Sequence, residues 1–338
     1  MRRLPQAIPQ GEAVTAVQDR RSSGYRRRPA LRRNLSSSAR LAALWLSLAV
    51  AASGGAAAQE ASAVARGEYV FRAAGGCSCH TDFRRSGAFL AGGRGLETPF
   101  GTFYSPNITP DAETGIGGWS VDDFVRAMTE GVAPDGSHYF PVFPYTAFTG
   151  MSRDDLVDLK AYLDSAPPVR RPNRAHDAIP PFGWRFTVGP WKWLFFERRS
   201  FRPDPDRPAT WNRGAYLVTA LAHCGECHTP RGLLGNLDAT FRFAGVKRGP
   251  EGQLAPNITP HKKTGIGRWS AADIATLLKT GLRPDFDDVQ GLMAEAIENG
   301  FRYLSDEDRA AIAEYVLGLA PIDNLIEPDV KPPKSGFE

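Results

Sequence analysis

Sulfur is scarce in this chain, with four Cys and four Met among 338 residues. All four Cys fall in two short clusters, Cys77 with Cys79 and Cys224 with Cys227, which leaves none for a disulfide framework. Long apolar runs are lacking too. Leu41 to Ala52 is about a dozen residues, well short of the roughly 20 that a membrane-spanning helix needs. It follows a basic, Ser-rich stretch, 32–40, and precedes Ala56-Ala57-Ala58 and Gln59, so residues 1–58 read as an export leader cleaved near Gln59. Residues 1–31 then form a long n-region or follow from a start codon set too early. The third absence is positive charge in the mature chain. Ten of the 41 Lys and Arg, but two of the 37 acids, lie in residues 1–58, and their removal turns a net +4 into −4. A nucleic-acid role based on basic charge is thereby excluded.

What is present is concentrated. His223-Cys224-Gly225-Glu226-Cys227-His228-Thr229 contains C-x-x-C-H, the spacing at which two thiols add to the vinyl groups of haem and the next His lies under the iron. A zinc half-site would need two more ligands in a second cluster, and a thioredoxin-like pair does not require the His. Cys224, Cys227 and His228 are therefore assigned to covalent haem c, with His228 on the iron.

The unit is repeated. Arg66-Gly67-Glu68-Tyr69 precedes Cys77-Ser78-Cys79-His80-Thr81, as Arg213-Gly214-Ala215-Tyr216 precedes Cys224. Pro106-Asn107-Ile108-Thr109-Pro110 and Thr114 to Ser120 return as Pro256-Asn257-Ile258-Thr259-Pro260 and Thr264 to Ser270. Two copies cannot make a solenoid, so the expectation is a tandem pair of independent domains, 59–164 and 210–338. Each is read as all-α. Helices are predicted over 62–74 and 210–222, over 120–130 and 270–280 behind Ser120 and Ser270 as N-caps, and from Ser152 and Ser305 to about 164 and 318. No strand is called for, and Gly-rich loops after each Cys cluster suit a chain wrapped round a flat cofactor.

With Thr98-Pro99-Phe100-Gly101-Thr102, both Asn-Ile-Thr-Pro turns, both Gly-Ile-Gly-x-Trp-Ser segments, Pro144-Tyr145-Thr146 and Arg213 to Val218, the chain resembles the multihaem cytochrome c subunits of bacterial alcohol dehydrogenase and gluconate 2-dehydrogenase. The resemblance covers about 66–320. It implies two class I cytochrome c folds, two haem c groups, and electron transfer from a partner dehydrogenase towards the respiratory chain. Members of the alcohol dehydrogenase type carry a third C-x-x-C-H domain and a C-terminal membrane anchor. Neither is found here, which sets the expectation against direct quinone chemistry.

The distal iron ligand is sought by counting. Met293 lies 36 residues after Asn257 and 24 after Trp269, in a loop entering an apolar helix, and as the one Met of its half it is read as the ligand of the second haem. The same count in the first half lands on Phe143, which cannot bind iron. The resemblance agrees, since the family has a Met between Pro-x and Pro-Tyr where this chain has Pro141-Val142-Phe143-Pro144-Tyr145. Met128 and Met151 align with Leu278 and Leu304 and read as packing residues. His138 is a candidate substitute, against a plain loop His. Cys79 and His80 keep the normal relation of thioether to proximal ligand. Cys77 is one residue closer to Cys79 than C-x-x-C-H requires: counting forward from Arg66 pairs it with Cys224, and counting back from His80 pairs Gly76 with Cys224. Whether Cys77 reaches the other vinyl is left open by this count, and Gly75 and Gly76 supply backbone freedom in favour of it.

Residues 165–209 form a linker with nine Pro and eight Phe or Trp, too apolar to hang free. It is read as a strap across the two domains, with docking to a dehydrogenase as the other use. Asp285, Asp287 and Asp288 offer an acidic patch for a basic partner, against a plain solvated loop. The functional expectation is an exported, periplasmic dihaem cytochrome c, held at the membrane through a partner. It takes electrons from a dehydrogenase and passes them to an oxidase or another cytochrome. The competing class is a dihaem enzyme whose open first haem binds a small substrate, of the thiosulfate dehydrogenase or peroxidase kind, with Arg84, Arg85 and Arg94 as anion binders. A haem-based ligand sensor is the third.

Overall fold

The structure, a computed structural model, describes residue 59 and residues 61–327, all within one packing unit. The leader expected over 1–58 lies outside the described residues. Helix α1 covers 61–73, close to the expected 62–74. It is followed by α2 (Val121–Glu130), α3 (Tyr145–Phe148), α4 (Arg153–Asp164), α5 (Val188–Phe195), α6 (Ala209–Tyr216), α7 (Gly225–His228), α8 (Ala271–Thr280), α9 (Gly291–Asn299) and α10 (Asp306–Leu317). Ser120 and Ser270 close reciprocal capping boxes with Asp123 and Asp273, and Ser152 and Ser305 cap α4 and α10.

The Arg-Gly-x-Tyr repeat sets how each half closes. Gly67 of α1 lies so near α4 that a Cβ there would stand 1.9 Å from the Asp158 carbonyl oxygen, and Gly214 of α6 meets Ala311 of α10 at the same 1.9 Å. Only glycine permits either crossing. The Arg before each glycine then pairs across the contact, Arg66 with Asp158 and Arg213 with Asp308.

The Tyr reaches further, into the other half. Tyr69 donates to Asp308 at 2.7 Å and accepts from the Ser305 amide at 3.1 Å, at the start of α10. Tyr216 does the same at the start of α4, donating to Asp155 and accepting from the Ser152 amide at 2.9 Å. One buried cluster joins Phe71, Leu156 and Leu159 to Leu217, Val218 and Ile312. The expected independence of the two domains is therefore corrected: each half contributes to a shared core, because their apolar helix faces cover one another.

The all-α expectation needs a second correction. Antiparallel strands β1 (Gly95–Thr98) and β2 (Gly101–Tyr104) make a hairpin, and β3 (Asp177–Ala178) adds a third strand from the linker. The turn explains it: Pro99 presets one turn dihedral and Gly101 takes φ 112°, while the Thr98 hydroxyl donates to the Gly101 carbonyl at 2.8 Å. The start of the linker also belongs to the repeat. Val169 accepts from Asn107 Nδ2 at 2.7 Å just as Ile322 accepts from Asn257 at 2.8 Å, so 169–171 and 322–324 are equivalent straps.

Candidate haem-attachment sites

In the second half, α6 runs into a wide π turn, Leu217–Leu221, closed by an Ala222 amide bond to the Leu217 carbonyl at 2.7 Å. His223 then takes φ 41° and α7 presents Cys224, Cys227 and His228 together. A π turn holds one residue more than an α turn. In the first half α1 has no such bulge: Ala74 bonds Val70 in ordinary α fashion at 2.9 Å. The one-residue difference between the repeats is thus absorbed before the cysteines. With His80 and His228 in register, Gly75 and His223 share a positive φ, and Cys77 falls opposite Gly225.

Cys77 nevertheless packs against the shared core as Cys224 does. It does so through three consecutive left-handed residues, Gly75 (73°), Gly76 (68°) and Cys77 (44°). That conformation is free for glycine and strained for cysteine. Gly76 is further required by α9, since a Cβ there would come within 2.4 Å of the Asn299 carbonyl oxygen.

The imidazoles are oriented identically. His80 Nδ1 lies 2.9 Å from the Pro106 carbonyl oxygen, and His228 Nδ1 lies 2.7 Å from that of Pro256. A carbonyl only accepts, so Nδ1 carries the proton and each Nε2 keeps its lone pair for a metal. Gly92 and Gly245 donate to the carbonyls of the same histidines, both at 2.8 Å, and a Cβ on either would stand about 2.4–2.5 Å from the Pro106 or Asn257 backbone. The Pro-Asn-Ile-Thr-Pro motif is legible as a repeat in the sequence, but its task, orienting the proximal histidine, emerges only from this contact.

Thiols and imidazoles are uncharged here. Burial pushes Cys77, Cys224 and Cys227 up to about 12 and raises Cys79, while it lowers His80 and His228 below the usual histidine range. The halves also meet at Glu226, buried inside the second motif, which accepts from Thr146 at 2.8 Å and pairs with Arg231.

Met293 sits within α9, not in the expected loop, partly buried against the shared core. The helix starts earlier because Gln253 Oε1 accepts from the Leu292 amide at 2.9 Å, satisfying a first-turn donor. Phe143 occupies the matching stretch, ringed by Tyr139, Tyr145 and Phe148 at 5.5–6.3 Å between centroids. Met128 and Met151 are buried in the core as packing residues. His138 Nδ1 accepts from Lys192 Nζ at 2.9 Å, which makes it a partner of the linker and leaves only its other ring nitrogen.

The anion-binding arginines are corrected. Arg84 and Arg94 both pair with Glu251, and Arg94 also with Glu295, so these charges join the halves. Arg85 lies 3.9 Å from Asp82. Asp285 and Asp287 are both paired with Arg283, and Asp288 accepts from Gln290, so the acidic patch is partly neutralised.

In each half, thiols and an oriented imidazole with a free Nε2 fit one covalently attached haem c. The cytochrome c family profile matches residues 212–320. A dihaem cytochrome c-type protein of Cereibacter sphaeroides is 45% identical over 76% of this chain and 86% of its own length. The fructose dehydrogenase cytochrome subunit of Gluconobacter japonicus is 40% identical over 75% of this chain and 52% of its own. The gluconate 2-dehydrogenase cytochrome c subunit of Pantoea cypripedii is 37% identical over 77% and 60%. The chain thus spans between half and two thirds of these two dehydrogenase subunits. With two haem-attachment motifs on one doubled scaffold and a relative of nearly the same extent, the chain belongs to the dihaem c-type cytochromes.

Proposed function

We propose that this cytochrome is exported and relays single electrons from a partner dehydrogenase to an oxidase or another cytochrome of the respiratory chain. Haem c, when bound, supplies a one-electron Fe(III)/Fe(II) couple. The residues differentiate the two sites. Met293 offers the second site a thioether, a ligand that favours Fe(II), whereas Phe143 offers the first none. Electrons then enter at the lower-potential first site and leave from the second. The observation that carries the reading is this inequality at matched positions of the repeat, Phe143 and Met293, both packed against the shared core. Cytochrome subunits of fructose and gluconate dehydrogenases among the relatives support a dehydrogenase as donor.

Spectroelectrochemical titration of the purified protein tests it. Two separated one-electron waves are expected, the lower one alone responding to carbon monoxide or cyanide. Two equal, ligand-insensitive waves contradict the inequality, and turnover of a small substrate by the isolated protein would replace the relay with an enzyme.

A further inference from the structure

Helix α5 of the linker has two unlike faces. Val188 and Lys192, one turn apart, are buried, and Lys192 Nζ donates to the carbonyls of Glu130 and Gly131 at 2.6 and 2.8 Å. Those bonds satisfy the C-terminal carbonyls of α2 and fix the rotation of α5 from within. At 100° per residue the opposite side carries Pro190, Trp193 and Leu194, and Phe186 stands in the 3-10 turn just before the helix. Phe186 is 74% exposed, Trp193 84% and Leu194 57%, and Trp184 stacks on Phe186 with ring centroids 5.5 Å apart. Alongside, Trp191 Nε1 donates to the Leu234 carbonyl at 2.8 Å, tying to the helix a turn whose Leu233 is 95% exposed. Single exposed apolar residues are ordinary on a folded surface, but a cluster on a helix that cannot rotate to hide them is a contact surface.

The charge around this face names the occupant. Besides the buried Lys192, residues 184–202 hold four exposed bases and one acid, although the chain from residue 59 onward is net acidic. Arg185 lies at one end of the helix, where it donates to the His138 carbonyl at 2.8 Å and lies over the Phe140 ring, and Arg198 and Arg199 lie at the other, all exposed. Arg198 and Arg199 form only surface pairs, with Glu130 and Glu197, which anionic groups at the same face can replace at little cost. Outward Trp, Phe and Leu between flanking arginines match the boundary of an anionic bilayer, where indoles sit at headgroup depth and guanidinium groups meet phosphates. Between the flanking arginines the outward face offers no side-chain hydrogen-bonding group but the indoles, whereas protein interfaces typically carry about ten direct hydrogen bonds. No described helix is long and apolar enough to cross a membrane.

We propose that α5 and its flanks, from Trp184 to Arg199, lie in the headgroup region of an anionic lipid bilayer and hold the protein there directly. The inference stands apart from the electron relay. It is tested by flotation of the purified haem-loaded protein with vesicles of phosphatidylcholine, alone or mixed with phosphatidylglycerol. Binding is expected on the anionic vesicles, weaker on neutral ones and weaker at high salt. The double variant Trp193→Ser/Leu194→Ser should lower the partition by at least about tenfold, and Arg198→Gln/Arg199→Gln should abolish the preference for anionic lipid. Unchanged haem absorption certifies that the variants are folded. Absence of wild-type binding, or equal binding by the Trp193/Leu194 variant, overturns the proposal. So does a wild type that ignores vesicles but co-purifies with a dehydrogenase that the variant loses, since the face would then be a protein interface.

Discussion

Phe143 and Met293 stand at the same count from their Asn and Trp landmarks, so single substitutions can exchange their chemistry. Met293→Ala should abolish the Met-to-iron charge-transfer absorption and lower the potential of one haem only, because a thioether favours Fe(II). An unchanged spectrum would mean another group binds that iron. Phe143→Met should raise the first potential and suppress cyanide or carbon monoxide binding; if it does neither, the side chain at 143 does not face the iron. Cys77 poses a different question. Its left-handed backbone is strained, and the contact of α9 on Gly76 holds that strain in place. Peptide mapping is expected to show Cys79, Cys224 and Cys227 as thioethers, and Cys77 as one too, since it packs against the same core as Cys224.

Helices α4 and α10 each begin at a serine cap that a tyrosine from the opposite half completes. Tyr69→Phe and Tyr216→Phe should each cost about 1–2 kcal/mol, since the hydroxyl in each case donates to a carboxylate. Denaturant titration of the haem-loaded protein measures this, and a cost near zero would show that water replaces the hydroxyl. Asp308 makes the contact pH-dependent. Burial alone would raise its pKa, but the bonds from Arg213 and Tyr69 outweigh it and hold the carboxyl below its ordinary value. A depressed carboxylate contributes stability that is complete above the unfolded value of about 4 and lost as pH falls through the folded one. Asp308→Asn should therefore be less stable than wild type at neutral pH and converge on it in acid. Parallel pH profiles would remove Asp308 from that role.

Across the whole molecule, two attachment sites sit on one shared core, so loss of one haem should weaken the other half. The intact mass of mature protein is expected to correspond to a start near Gln59 plus two haems. One haem in fully matured protein would make the first half vestigial. With His80→Ala, thermal unfolding should move the second-site Soret signal to lower temperature together with the first. Independent melting of the halves would contradict the contacts of Tyr69, Tyr216 and Glu226 across them.

The residue chemistry was local and therefore legible in sequence: C-x-x-C-H, the serine caps with an acid three residues on, and the repeat spacing that pairs Met293 with Phe143 all act within a few residues or by counting. The bounds of the helices behind serine caps followed for the same reason, since hydrophobic period and caps are properties of neighbours, whereas α5 in the linker and the early start of α9 did not. The third strand beside the Thr98–Gly101 hairpin escaped because it comes from Asp177–Ala178, more than 70 residues away. The orienting carbonyls of Pro106 and Pro256, the crossed tyrosines and the pairing of Arg94 with Glu251 and Glu295 escaped likewise, because a backbone oxygen has no sequence signal and an ion pair has no fixed spacing. Tertiary structure alone decided that two copies make one body. Each copy leaves an apolar helix face uncovered, and only packing determines whether that face meets solvent, a partner or its own twin.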